Sequence, residues 1–154
     1  MHASHFWRGV ATPEPSFPVP MSSLKTFIVE DSEVIRDNLV ATLQELTAVE
    51  VVGYADEEGK ATAWLSHGGN HARLVIVDIF LKHGSGLGVL QSAVGSGRQR
   101  KWVVFSNYAT NAMRSRCAAL GAHRVFDKST EIDALIAYCN LLARGTDSQP
   151  VPLP

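Results

Sequence analysis

Five short apolar runs alternate with five stretches of helical periodicity, and this alternation limits the chain to very few folds. The runs that indicate strands are rich in β-branched and aromatic residues, and they cover 26–31, 49–55, 73–80, 101–107 and 123–129. The helical stretches cover 32–47, 57–68, 87–95, 110–121 and 130–144. Repeated βα units predict a parallel sheet with helices on both faces. For five strands, we expect a doubly wound α/β fold with the strand order 2-1-3-4-5.

The prolines mark the limits of this domain, because all seven lie in the two ends of the chain. We therefore predict one domain over 24–144, a disordered proline-containing extension over 1–23 and a disordered tail over 145–154. Met21 opens a segment that resembles a natural protein start, so residues 1–20 are interpreted as dispensable. No motif of an output domain follows Arg144, and the chain is expected to work as a stand-alone domain.

Composition excludes several classes of protein. A net charge of −1 argues against a DNA-binding surface, and no apolar run approaches the roughly 20 residues that span a bilayer. Cys117 and Cys139 lie within apolar helical patterns, so we predict reduced thiols and a cytoplasmic location. His67 and His71 are separated by two glycines, and we expect them to flank a helix end rather than to bind a metal.

Polar residues follow the predicted strands at the edge where parallel sheets bind ligands. Strand one ends in Glu30 and Asp31, strand three in Asp78, strand four in Ser106 and strand five in Lys128. Three carboxylates held a few ångströms apart repel one another and need a cation. An all-oxygen set of this kind suits Mg²⁺, which often bridges to phosphate. A carboxylate nucleophile beside a lysine and a hydroxyl suits phosphoryl transfer.

These positions closely resemble the receiver domains of bacterial two-component systems, the CheY-like superfamily with a flavodoxin-like fold. "FIVEDSEVIR" is similar to the acidic-pair strand and first helix of that family, "LVIVDIFLKHGSGL" to its phosphoacceptor strand and loop, and "VVFSN" and "GAHRVFDKS" to its later strand ends. The resemblance implies that Asp78 is the phosphoacceptor and that Ser106 and Lys128 contact the phosphoryl group. It also implies Mg²⁺ ligands in Asp31, Asp78 and the backbone carbonyl of Phe80, with Glu30 acting mainly through water.

The resemblance further implies a signalling protein rather than an enzyme. The domain is expected to accept a phosphoryl group from a sensor histidine kinase or a phosphotransfer protein and to signal by a change of shape. The downstream target would be a protein bound on the face of the fourth helix, fifth strand and fifth helix. We expect no direct binding to DNA or to a membrane. The sequence leaves open whether the phosphorylated form dimerises.

The sequence departs from the family pattern mainly at Val125, where receivers usually carry the aromatic residue that swings inward on activation. Ser129 follows the lysine where proline is common. The first departure leaves open a degenerate receiver that acts as an interaction scaffold without phosphorylation. A cofactor-binding module of the flavodoxin type is disfavoured, because its phosphate loop would here be the acidic "EDSE". Phe80 and Tyr108 occupy the two places where relatives tune self-dephosphorylation, and aromatic residues there predict a long-lived phosphorylated state.

Overall fold

The computed structural model describes residues 22–96 and 98–145. The predicted extension and tail therefore lie almost entirely outside the described residues. The strands are β1 Leu24–Val29, β2 Val49–Ala55, β3 Leu74–Val77, β4 Lys101–Ser106 and β5 Arg124–Asp127. The helices are α1 Glu33–Leu46, α2 Glu58–Ser66, α3 Gly86–Ala93, α4 Asn111–Ala119 and α5 Ile132–Ala143.

The sheet confirms the predicted topology, with all pairs parallel and the order β2-β1-β3-β4-β5. β1 and β3 are neighbours in space but not in sequence, and Val29 of β1 pairs with Val77 of β3. The chain reverses its direction of winding between these two strands. Their carboxyl ends therefore form the crevice in which open parallel sheets bind ligands.

Two apolar layers hold the helices against the sheet, because successive strand residues point to opposite faces. Phe27 and Val77 pack on one side with α2, α3 and α4, where Leu65, Leu90 and Cys117 are buried. Ile28 and Val103 pack on the other side with α1 and α5. Both faces of β3 are covered, since all four of its residues are buried. This burial explains why β3 is the most apolar run of the sequence.

The cysteines and histidines occupy the places that the sequence predicts. Cys117 and Cys139 are free thiols in the separate layers on the two sides of the sheet, and burial raises the pKa of Cys139 to about 12. His67 follows the last residue of α2. Among the described residues, no helix combines the length and the apolar character needed to cross a membrane.

Several strands end earlier than the apolar pattern predicts. β1 stops at Val29 and β3 at Val77, so Glu30, Asp31 and Asp78 begin the loops instead of ending the strands. Ser32 stands before α1, and its side chain accepts a hydrogen bond from the backbone N–H of Ile35. This N-cap fixes the start of the helix directly after the acidic pair.

Candidate functional site

Three carboxylates meet where β1 and β3 end. The backbone N–H of Asp78 donates to the carbonyl of Val29 at 2.9 Å, which continues the β1–β3 ladder by one bond. Glu30, Asp31 and Asp78 each offer a carboxylate oxygen, and these oxygens lie within 4.8 Å of one another. Glu30 is buried, whereas Asp31 and Asp78 are partly exposed. The structure thus brings the three predicted acidic residues into one cluster, which we call the acidic cluster.

Lys128 supplies the positive charge of the site from the loop after β5. Its ammonium donates to Asp78 Oδ2 at 2.8 Å and also to Glu30 Oε1. The lysine itself is held in place because its backbone N–H donates to the carbonyl of Ser106 at 3.0 Å. The ends of β4 and β5 therefore fix the position of the ammonium. The carboxylates that it contacts follow β1 and β3.

Burial and ion pairing pull the pKa values of this group in opposite directions. Burial raises the pKa of Glu30, although the hydrogen bonds from Lys128 and from the Ser32 N–H oppose this rise. Burial also disfavours the charged form of Lys128, but its hydrogen bonds to Asp78 and Glu30 outweigh that effect and raise its pKa. The lysine is therefore held as a cation.

Ser106 is the last residue of β4 and is fully buried. Its hydroxyl oxygen accepts a hydrogen bond from the backbone N–H of Tyr108 at 3.2 Å. Since that N–H occupies one lone pair of the oxygen, the hydroxyl proton is left to be donated elsewhere. The serine lies at the same carboxyl edge as the acidic cluster, and its carbonyl accepts the hydrogen bond from the Lys128 backbone N–H.

The loop between β3 and α3 carries Phe80 and is tightly held. Asp78 Oδ1 accepts from the backbone N–H of Ile79 at 2.7 Å, which orients the carboxylate. The Ile79 carbonyl accepts from Gly86 N–H at 2.8 Å and from the Ser85 hydroxyl at 3.3 Å. A β-carbon on Gly86 would lie 1.9 Å from the Asp78 carbonyl oxygen, so only glycine fits there. Phe80 forms an isolated β-bridge with Ser85.

Glu58 is a residue of this region that sequence reasoning missed. It opens α2, and its carboxylate accepts from the backbone N–H of Ser85 at 2.9 Å, while its own N–H donates to the carbonyl of His83 at 3.1 Å. Gly84 and Gly88 lie close against its side chain. An acidic residue in a first helical turn is common. Nothing in the sequence indicates that this one reaches a loop 27 residues away.

Two exposed aromatic rings lie on the loops that follow β3 and β4. Phe80 and Tyr108 contact each other edge to face with ring centroids 4.4 Å apart. Both are more than half exposed, at 53% and 56%. They join the loop after β3 to the loop after β4. The rings therefore meet directly across these two loops of the carboxyl edge.

The residues present fit a magnesium ion. The acidic cluster is an all-oxygen donor set with more negative charge than one lysine can balance, and Mg²⁺ prefers such donors. The other acidic residues at strand ends are engaged differently. Asp56 after β2 pairs with Lys60 at 3.2 Å, and Asp127 caps a turn by accepting from the N–H and the hydroxyl of Ser129.

Sheet order and site together define a class: a flavodoxin-like α/β domain with an acidic site at the carboxyl edge of its sheet. The family model for the response regulator receiver domain matches residues 26–140. The chain belongs to this family, whose members receive phosphoryl groups in two-component signalling. No curated protein sequence matches the chain significantly.

Solved structures show the same fold at low sequence identity. The response regulatory domain of mrkE from Klebsiella pneumoniae is similar with a TM-score of 0.70 and 20% identity, covering 82% of this chain and 100% of that one. A LuxR-family DNA-binding response regulator from Staphylococcus aureus gives 0.69 and 18%, covering 78% and 98%. The response regulator domain of Thermotoga maritima CheB gives 0.68 and 15%, covering 84% and 100%.

Proposed function

We propose that Asp78 of this receiver is the phosphoacceptor and that Glu30, Asp31, Ser106, Lys128 and the Phe80 carbonyl serve it. The observation that carries the proposal is the position of the Asp78 carboxylate. It shares the acidic cluster with two other carboxylates and receives the Lys128 ammonium at 2.8 Å. An aspartate that only caps a turn at the end of a strand does not need two neighbouring carboxylates and a lysine.

The chemistry follows from the two oxygens of Asp78. One oxygen is held by the Ile79 N–H and the other by Lys128. A carboxylate oxygen attacks the phosphorus of a phosphohistidine, the new O–P bond forms, and the P–N bond breaks with its electron pair leaving on the imidazole. Lys128 and the Ser106 hydroxyl then face the oxygens of the transferred group and offset their charge.

Mg²⁺ would be held by Asp31, Asp78 and the Phe80 carbonyl, with Glu30 acting through water. When bound, it would supply positive charge between the carboxylates and the phosphoryl oxygens. The chain's own residues prepare for that charge. The N-cap of α1 fixes the acidic pair, and the bonds from Gly86 and Ser85 to the Ile79 carbonyl fix the segment that carries Phe80.

The donor would be a sensor histidine kinase or a phosphotransfer protein in the cytoplasm, and the receiver would signal to a protein target. Because Val125 replaces the usual aromatic switch, another contact must connect the site to the face formed by α4, β5 and α5. Arg114 of α4 offers one, because its guanidinium donates to the carbonyls of Val125 and Ala109 and to the Glu131 carboxylate. The alternative is a degenerate receiver that binds its target without phosphorylation, and Val125 is the observation that favours it.

The test is phosphorylation by a small phosphodonor in Mg²⁺, followed by intact-protein mass spectrometry. Wild type should gain one phosphoryl group, and Asp78→Asn should gain none. Asp56→Asn is the matched control, since Asp56 also follows a strand but lies outside the acidic cluster. EDTA should abolish the reaction. Phosphorylation of Asp78→Asn at the wild-type rate would overturn the assignment, and an unmodified wild type would favour the scaffold.

A further inference from the structure

A basic cavity lies at the opposite edge of the sheet from the acidic cluster. It is an open depression with a volume of about 370 Å³, and its lining includes Lys25, His71, Arg73, Arg98, Gln99 and Arg100. Lys25 is near the start of β1, Arg73 precedes β3, and Arg98 and Arg100 precede β4. An adjoining cavity of about 600 Å³ shares the three arginines. We call the first one the basic cavity.

The cations of the basic cavity form no salt bridge with a described residue. None of the described residues lining it is acidic. The ion pairs formed elsewhere in the described chain use Arg36, Lys60, Arg114 and Lys128. Glu50 lies opposite Lys25 in the β1–β2 ladder, but it accepts a hydrogen bond from the Ser23 hydroxyl at 2.6 Å and does not line the cavity.

Arg100 shows that the accumulated charge is unfavourable as it stands. It is 6% exposed, and its Nε and Nη2 donate to the carbonyls of Ala72 and Leu65, both at 3.2 Å. Its Nη1 has no hydrogen-bond partner. Burial, together with the nearby charge of Arg98, lowers the pKa of this guanidinium. A buried unsatisfied donor of this kind costs stability and needs an explanation.

A purely structural role accounts for only part of the cluster. Arg98 donates to the carbonyls of Asn70 and Gly68, so both it and Arg100 hold the connection between α2 and β3. Lys25, His71 and Arg73 form no side-chain hydrogen bond with a described residue. Lys25 and Arg73 add positive charge where two arginines already repel each other. That arrangement suits a bound anion.

We propose that the basic cavity binds a small phosphate-bearing anion, of a size between pyrophosphate and a nucleotide. Arginine forks match phosphate oxygens in pairs. The volume lies within the range of ligand sites, roughly 300–1,000 Å³. A long nucleic acid fits less well, because the chain has a net charge of −1 and its opposite edge is acidic. This binding is separate from the phosphoacceptor site and does not depend on it.

The experiment is a titration of the full chain with inorganic pyrophosphate in EDTA at physiological salt. Calorimetry should give one saturable site with a Kd below about 1 mM. Arg73→Gln, which leaves the carbonyl-binding arginines intact, should weaken binding about two- to fivefold, as loss of one exposed charge contact predicts. Arg116→Gln is the matched control, an exposed arginine on α4 outside the cavity, and should bind like wild type.

Two further readouts separate the possible outcomes. Backbone NMR shifts should move at 71–73 and 98–101 and stay unchanged around Asp78. Absence of saturable binding, or equal weakening by both variants, would overturn the proposal. So would a random DNA duplex that binds more tightly than pyrophosphate at the same salt and is not displaced by it. Because EDTA is present throughout, failure here leaves the phosphorylation test of Asp78→Asn unaffected.

Discussion

At the residue scale, the site is a problem of charge balance that Lys128 solves only in part. One ammonium contacts two carboxylates, Glu30 and Asp78, while Asp31 adds a third negative group within 4.8 Å. In the proposed reaction, the same lysine would turn from a carboxylate to an oxygen of the transferred phosphoryl group. That movement would couple the chemistry at Asp78 to the position of the loop after β5, from which Lys128 extends.

We expect the lifetime of the phosphorylated state to depend on the rings of Phe80 and Tyr108. Their mutual contact at 4.4 Å places aromatic bulk on the two loops that follow β3 and β4. Neither side chain carries a carboxylate or an amide suited to orienting a water for in-line attack. We expect slow hydrolysis in the wild type and a several-fold faster decay in Phe80→Ala and in Tyr108→Gln. The measurement is loss of phosphoryl mass after removal of the donor in Mg²⁺.

Tyr54→Ala is the control for that series. Tyr54 is as exposed as Tyr108, at 56%, but it lies on β2, where its ring contacts the Arg36 guanidinium. Its removal should leave the lifetime unchanged. Equal lifetimes in wild type and both site variants would show that the rings do not limit access of water.

At the element scale, the loop between β3 and α3 is held from α2 through Glu58. The sequence predicts the loop from its glycines, and it predicts α2 from helical spacing. It cannot predict that the two are joined, because the joining bond links side chain to backbone across 27 residues. The grouping of Asp31, Asp78 and Lys128 was predictable for a different reason, since parallel topology alone brings the carboxyl ends of their strands to one edge.

Removal of the Glu58 carboxylate should loosen this loop. In Glu58→Ala the Ser85 N–H at the start of α3 loses its acceptor, which should cost about 1 kcal/mol of unfolding free energy, as for other lost caps. Phosphorylation of Asp78 should slow because the Phe80 segment is less well held. Glu57→Ala is the control, as Glu57 makes no capping bond. Identical urea midpoints and rates for the two variants would contradict the role.

The link between α4 and α5 should show itself as a dependence of stability on pH. The hydrogen bond from Arg114, at 2.6 Å, lowers the pKa of Glu131. A carboxyl whose folded pKa is lowered adds stability above its ordinary value, and that stability is lost as pH falls through the folded pKa. Wild type should therefore exceed Glu131→Gln in Tm near neutral pH, and the difference should vanish in acid.

The control for that measurement is Glu45→Gln, an exposed carboxylate on α1 outside this network. It should track wild type across the same range of pH. A Tm difference between wild type and Glu131→Gln that is constant with pH would show that the amide disturbs packing and that the ion pair contributes nothing measurable.

At the scale of the whole molecule, the described chain separates its charges along the strands. Carboxylates gather at the carboxyl edge and the cations of the basic cavity at the amino edge. The net charge of −1 gave no sign of this, because a sum hides where the charges lie. Fold and acidic cluster could be predicted since both follow from local patterns and topology. The basic cavity could not, because Lys25, Arg73 and Arg98 come from three separate segments without a shared motif.

The stability of the whole domain should therefore depend on Mg²⁺ through the acidic cluster. Two carboxylates about 5 Å apart repel by about 3 kcal/mol at an effective dielectric near 20, before Lys128 compensates them. Asp31→Asn removes one of these charges, so we expect it to unfold at higher urea than wild type in EDTA, by about 1 kcal/mol. Magnesium at ten times its Kd should raise wild-type stability by about 1.4 kcal/mol and should raise that of Asp31→Asn much less.

The control is Asp133→Asn on α5, outside the cluster, which should respond to Mg²⁺ as wild type does. If Asp31→Asn is instead less stable than wild type in EDTA, the carboxylates do not repel one another in the folded state, and the argument for a magnesium site loses its electrostatic basis.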